Sequence, residues 1–267
     1  FGEKEAKHRI KSIFRYQKPT IWLVGLGACA IIILSVCFLT GPVHAASDEQ
    51  PSKPTNLLLI GKSGTAEPKD GAFVLATLDA DNTELKLTAF PAWTYLHVSN
   101  IPDTKNVVHS GNTPLMLGYQ IGQNLNGDKG GMALLKDSLT DNFGVSIDGA
   151  LEIDQDVFTG VVDALGGIDL GTGKLNGTET SDYLYTSLPG DSLFSPAERQ
   201  LTVLKAILDT CQSLPREQLS KLLDTMLPLL TTDLDEIQLK NYKKALLPLF
   251  SSLSVETQIC PDRESAT

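Results

Sequence analysis

Basic residues are in short supply in this chain. Its 267 residues hold 22 Lys and Arg against 32 Asp and Glu, a formal net charge of −10. That balance argues against nucleic acid as a partner, because affinity for a phosphate backbone rests on Lys and Arg. It also opposes anionic wall polymers unless a basic patch or a divalent metal intervenes, and the order of residues shows no such patch in the acidic part. Histidine is rarer still, with four residues. His44, His97 and His109 have no Cys or His neighbour at ligand spacing, so they read as surface or core residues rather than a zinc site. Ser181-Asp182 with a distant His does not amount to a catalytic triad. Leu59-Ile60-Gly61-Lys62-Ser63 is similar to the end of a phosphate-binding loop, but the glycine needed five residues before Gly61 is Asn56. No internal repeat is found.

What is present begins with residues 20–40 (TIWLVGLGACAIIILSVCFLT), 21 residues without a charge and long enough to span a bilayer. Ahead of it, six basic and two acidic residues give residues 1–19 a net charge of +4, so the rest of the chain carries −14. The positive-inside rule puts the basic end in the cytoplasm and the acidic bulk outside. Val43-His44-Ala45 is similar to a signal-peptidase site, but a signal core is about 7–15 residues long. The longer run favours a retained anchor, single-pass in a bacterial cell membrane. Residues 41–55, rich in Pro, Ser and charge, read as a linker. Among the four cysteines, Cys29 and Cys37 lie in the span as small apolar residues. Cys211 and Cys260 lie outside, where oxidation is permitted. They form a disulfide if their Cα atoms come within bonding reach.

The outer part, 56–261, alternates strands and helices, followed by a tail at 262–267. Expected strands are Asn56 to Gly61, Gly71 to Asp79, Glu84 to Phe90 after an Asp81-Asn82 turn, Asp148 to Ile153, one from Ile168, and Val255 to Ile259. Tyr95 to Val98 extends the sheet and Ser99 to Thr113 is a loop. Expected helices are Pro114 to Gln123, Gly130 to Asn142, Gln155 to Leu165, Asn176 to Tyr185, Ser195 to Gln212, Arg216 to Leu229 and Leu234 to Leu247. Gly166-Gly167 stops the third of these. Ser195 as N-cap, Pro196 and Glu198 predict a capping box. Leu201, Leu204, Lys205 and Leu208 share a face of the same helix. The fold class is α/β: an α/β/α sandwich with a mixed central sheet, preceded by one transmembrane helix. Asp148, Glu152, Asp154 and Asp156 read as a solvated strand face.

The segments FTGVVDALGGIDL (158–170) and SPAERQLTVLKAIL (195–208), with NLLLIG (56–61), resemble the LytR-CpsA-Psr family of bacterial envelope proteins. The resemblance runs from about Asn56 to Pro261. It implies transfer of a glycopolymer phosphate from a polyprenyl pyrophosphate carrier to peptidoglycan. It also implies a magnesium ion held in part by a carboxylate at Asp70, and arginines that clamp the pyrophosphate. The first 40 residues resemble the last membrane segment of the beta-lactam-sensing antirepressor membrane metallopeptidases. With Phe1 rather than Met at the start, that resemblance implies the tail of a longer protein. The zinc motif H-E-x-x-H is absent from the sequence, so no protease activity carries over.

The sequence departs from the family pattern where the charge should be. A Pro-Arg-Asp pattern reads Pro91-Ala92-Trp93. Leu175-Asn176-Gly177 and Tyr183 fit the arginine-rich segment, but Tyr185 and Ser187 stand for its two arginines. Asp191 is kept, the next acidic position is Leu193, and Pro196 replaces one arginine of the last pair, leaving Arg199-Gln200. Trp93 reads as a core aromatic or as a lid over an apolar pocket. Phosphoryl transfer is mostly positioning and electrostatic stabilisation, and one lost clamp typically costs about 10²- to 10³-fold in rate. Two expectations follow. The first is a non-catalytic envelope domain that binds polyprenyl lipid or acts as a sensor. The alternative is a divergent phosphotransferase using Asp70, Asp191 and Arg199 with magnesium, supported by a compensating cation at Lys62, Lys69 or Arg216. Partners in either case are the membrane and a polyprenyl-linked glycopolymer or peptidoglycan.

Overall fold

The computed structural model describes residues 54–62, 71–102, 108–171, 173–239 and 247–261. The expected span at 20–40, the cytoplasmic segment and Asp70 lie outside the described residues. Among those described, no helix is long and apolar enough to cross a membrane.

The NLLLIG run is buried because both of its faces are covered. It forms β1 (Thr55–Lys62), flanked antiparallel by β2 (Ala72–Asp79) and parallel by β6 (Gly149–Asp154). Leu57 and Leu59 enter one core and Leu58 and Ile60 the other, as the period-2 alternation of a strand requires. A turn at residues 80–83 joins β2 to β3 (Glu84–Phe90). There Asp79 accepts from the backbone and side-chain N–H of Asn82. The sheet is completed by β9 (Thr231–Thr232) beside β6 and β10 (Ser254–Ile259) parallel to β3. The order is β10-β3-β2-β1-β6-β9, a mixed sheet.

One face carries α2 (Gln155–Ala164), α3 (Gly177–Tyr185), α4 (Ser195–Gln212) and α5 (Arg216–Met226). The other carries α1 (Leu115–Phe143) and Leu96 of β4. The hairpin β4 (Tyr95–Pro102) and β5 (Val108–Pro114) is a sheet of its own. Tyr95 therefore does not extend the main sheet, and much of the expected 99–113 loop is strand. Its polar sequence hides the pairing, which is antiparallel with a register shift between Val98 and Ile101.

The two helices expected around Pro114–Asn142 are both present within α1. They meet at Asn126 and Gly127, whose backbones are not helical. The chain bends sharply there: a Cβ on Gly122 would lie 2.4 Å from the carbonyl oxygen of Gly130. After α2 the chain reverses through Gly166 (φ 72°) and Gly167 (φ 88°) into β7 (Ile168–Asp169), which pairs with β8 (Lys174–Leu175). Left-handed backbone is cheap only for glycine, and the sequence shows it.

Three expectations are corrected. Ser195 does not cap α4: its Oγ accepts the Ser192 N–H, and Phe194 takes the cap position. Lys205 faces solvent beside Asp209, while Leu201 and Leu208 are buried. The Cys211–Cys260 pairing is not made. Cys211 is buried under α4 on one face of the sheet, whereas Cys260 packs against the core of the other face. At the C-terminal end, a single 3-10 turn at Leu227–Leu229 finishes the segment after α5, and Thr231-Thr232, between the two expected helices, is an edge strand. The helix expected from Leu234 is described only at 236–239.

Candidate functional site

Four loops and helix ends converge at one end of the sheet. The first is the turn after β3. Thr94 N–H donates to the Pro91 carbonyl at 2.8 Å, and Leu115 and Met116 at the start of α1 donate to the carbonyls of Thr94 and Ala92. The orphan N–H groups of α1 thus fix this turn and leave Trp93 half-exposed at the surface rather than in the core. The second is the end of α3. Its N-terminus has a capping box of Asn176 and Glu179, at 3.0 and 2.9 Å. Gln155 of α2 anchors it by donating to Ser181 Oγ at 2.7 Å. The third is the loop from Ser187 to Phe194, where Asp191 Oδ2 accepts the Leu188 N–H at 2.9 Å. The fourth is the start of α4.

Together with Gly71, these segments enclose a cavity of about 250 Å³ lined by Pro91, Ala92, Trp93, Tyr185, Ser187, Leu193, Pro196, Arg199 and Gln200 among others. Positions up to 129 residues apart in sequence are brought together, and the resemblance had singled out nearly all of them. Most are now apolar or neutral. Arg199 is 8% exposed, and its Nη1 donates to both oxygens of Asp191 at 3.0 Å. The Leu188 N–H, and then Arg199, hold the Asp191 carboxyl below its usual range. Asp191 and Arg199 are therefore paired with each other, and Asp70 is not among the described residues.

Three buried polar atoms here have no hydrogen-bond partner among the described residues: Arg199 Nε, Gln200 Oε1 and Thr94 Oγ1. Such orphans are rare in folded proteins and each calls for a cause.

A second, apolar slot of about 60 Å³ lies between the sheet and α4. Leu59, Val74, Ile153, Phe158, Val203 and Leu204 line it. It shares Leu184, Tyr185 and Gln200 with the larger cavity, so the two adjoin. Lys62, proposed from sequence as a compensating cation, lines this slot but is committed elsewhere. Its ammonium pairs with Glu152 and, at 2.8 Å, with Asp128. Burial alone would lower its pKa, but the hydrogen bonds to Asp128 and Glu152 outweigh that and hold it above the usual lysine value. Arg216 does not line either cavity, and Lys69 lies outside the described residues.

Glu152 is a site feature that sequence reasoning placed wrongly. It is 2% exposed, not on a solvated face. Tyr119 of α1 donates its hydroxyl to the carboxylate, and Lys62 on the neighbouring strand neutralises it. Burial pushes the Glu152 pKa up. Asp154, two residues on and on the same side of β6, is exposed.

Magnesium takes oxygen ligands in a near-octahedral set. Asp191 gives both oxygens to Arg199, Trp93 stands where a second carboxylate was implied, and no three His, Cys, Asp or Glu side chains come together as ligands among the described residues. The described residues do not fit the ion here.

An α/β/α sandwich with adjoining cavities at one end of its sheet defines the class of domain to which this chain belongs. The chain belongs to the LytR_cpsA_psr family, whose model matches residues 40–262. Solved structures agree on the fold. TagT bound to LIIa-WTA is 21% identical with a TM-score of 0.57, covering 81% of this chain and 82% of that one. B. subtilis TagV is 20% identical with a TM-score of 0.59, covering 79% and 85%. The Streptococcus agalactiae protein gbs0355 is 16% identical with a TM-score of 0.59, covering 77% of each chain. No curated protein sequence matches the chain.

Proposed function

We propose that this is a membrane-anchored, extracytoplasmic envelope domain that binds a polyprenyl-linked ligand without transferring it. One observation carries the reading: Ala92, Trp93, Tyr185, Ser187, Leu193 and Pro196, the positions where the resemblance implies charged groups, line one cavity, and the Arg199 guanidinium beside them is paired with Asp191. Among the described residues, a pyrophosphate would meet a nearly uncharged wall. Losing one charged group from a transition-state clamp costs about 3–4 kcal/mol, and several are lost together. The apolar slot is independent of that loss, because tail binding is burial of hydrocarbon. TagT, bound to LI-WTA in one structure and LIIa-WTA in another, supports a glycopolymer-bearing ligand for this domain as well. The slot holds far less than the roughly 300 Å³ of a small ligand pocket, so entry of a tail has to part α4 from the sheet.

Native mass spectrometry of the full chain in detergent, with a short-chain polyprenyl pyrophosphoryl sugar, tests the reading. A stable adduct, unchanged by magnesium, is expected. Magnesium-dependent loss of the pyrophosphate would restore the phosphotransferase reading.

A further inference from the structure

The loop from Ser187 to Phe194 commits its one charge within the fold. Asp191 closes a tight turn: its backbone N–H donates to the Leu188 carbonyl at 3.0 Å, and its carboxylate accepts the Leu188 N–H and pairs with Arg199 of α4. The leucines are left outside, Leu193 73% exposed and Leu188 half-exposed. Leu193 and Trp93 line the same cavity, and Tyr95, two residues beyond Trp93, is 68% exposed. Single surface leucines need no explanation, but two leucines and two aromatics gathered at one end of the sheet do. Around them, residues 91–95 and 185–197 hold no charged side chain besides Asp191, in a chain of net charge −10.

The composition selects the partner. Trp and Tyr join an apolar ring to a polar tip and suit the headgroup level of a bilayer, and leucine suits the hydrocarbon just beneath it. An anionic lipid surface repels the acidic remainder of the domain and meets no net charge here. The tether permits the contact. Residues 41–54 lie between the uncharged run and β1 and reach at most about 50 Å. The strand β1, whose far end carries this surface, is about 26 Å long. We infer that Trp93, Tyr95, Leu188 and Leu193 form a membrane-contact surface that enters the interface of the lipid bilayer. The inference rests on the reading of the chain as membrane-anchored, which brings the domain to a bilayer.

Trp22, in the expected span, and Trp93 are the chain's two tryptophans, so single-Trp variants report the anchor and the surface separately. The full chain is placed in phosphatidylcholine–phosphatidylglycerol vesicles whose acyl chains are brominated either near the headgroup or near the methyl end. In Trp22→Phe, the shallow bromines are expected to quench Trp93 fluorescence, and the deep ones about threefold less, as befits a side chain at the interface. Adding Leu188→Asp and Leu193→Asp should cut that quenching about threefold or more, because each puts a charge against anionic lipid. The unfolding midpoint should stay in place, since exposed positions carry little stability. Ile237→Asp should leave the quenching unchanged: Ile237 is as exposed, but it follows Leu234, which packs beside Gly149 at the start of β6, the opposite end of the sheet. Unquenched Trp93, in vesicles where Trp22 of the Trp93→Phe variant is quenched, would overturn the inference and keep the anchor. Quenching of neither would overturn both. Quenching of Trp93 alone would uphold the surface and sink only the anchor. Equal quenching after Leu188→Asp and Leu193→Asp would overturn the inference by placing the lipid inside the cavity. Trp93 shielded from aqueous acrylamide without bromolipid quenching would assign the surface to a protein partner and overturn it too.

Discussion

At the residue scale, the ion pairs decide which charges remain available. Lys62 serves Glu152 and Asp128, and Arg199 serves Asp191, so these two cations beside the cavities are spent within the fold. Removing one partner of a buried pair leaves the other charge uncompensated, at a cost of about 3–5 kcal/mol. Lys62→Met is expected to destabilise the domain toward the lower end of that range, since Lys62 is partly exposed; urea unfolding measures it. A loss under about 1 kcal/mol would mean that Glu152 is not held as a charge by Lys62. The sequence did not announce this pair. Glu152 and Asp154 share a side of β6, and nothing local says that Tyr119, from a helix beginning at Leu115, meets one of them while the other stays exposed. The losses at Ala92, Trp93, Tyr185 and Leu193, by contrast, were legible, because the surrounding motifs fix which positions face the site.

At the element scale, the α2–Gly-Gly–β7 corner was readable and the β4–β5 hairpin was not. Glycine at positive φ has a local signature. A polar hairpin off the main sheet has none, since its pairing is set by the partner strand and not by its own alternation. The corner can be tested. Gly166 and Gly167 are both left-handed, but only at Gly167 would a Cβ meet backbone, 2.7 Å from the Leu175 carbonyl oxygen. Gly166→Ala should cost about 1 kcal/mol and Gly167→Ala about 2 kcal/mol or more, by chemical denaturation. Equal costs would show that the β8 backbone yields freely. Helix α4 bridges the two cavities, with Gln200 in both and Leu204 half-buried in the slot. Leu204→Trp should fill the slot and abolish the lipid adduct in native mass spectrometry. An adduct that survives this change would place the tail elsewhere.

For the whole molecule, stability should fall on the alkaline side. Burial, and then the Glu152 carboxylate, push the Tyr119 phenol well above its ordinary value, and Lys62 is raised as well. Groups with raised pKa values stabilise fully below their unfolded values, about 10 for Tyr and 10.4 for Lys, and that contribution is lost as pH climbs through the folded values. The denaturation midpoint is therefore expected to drop above about pH 10, and less steeply in Tyr119→Phe. On the acid side, Asp128 is lowered, chiefly by its hydrogen bond from Lys62. Its contribution is present above about pH 4 and disappears as pH falls through the depressed value. Glu152, raised by burial, acts in the opposite sense and blunts that acid limb. A midpoint that holds steady beyond pH 10 would show that the Tyr119–Glu152–Lys62 cluster does not contribute to stability.

The central claim is that this domain offers an apolar slot to a polyprenyl tail and lacks a charged clamp for a pyrophosphate. It is tested most directly by comparing the affinity of the full chain for a polyprenyl phosphate and for the pyrophosphate of the same chain length, with and without magnesium. The account predicts affinities within about threefold of each other, a difference under 1 kcal/mol, and indifferent to magnesium. A magnesium-dependent preference for pyrophosphate of about 100-fold, the worth of a working charged clamp, would contradict it.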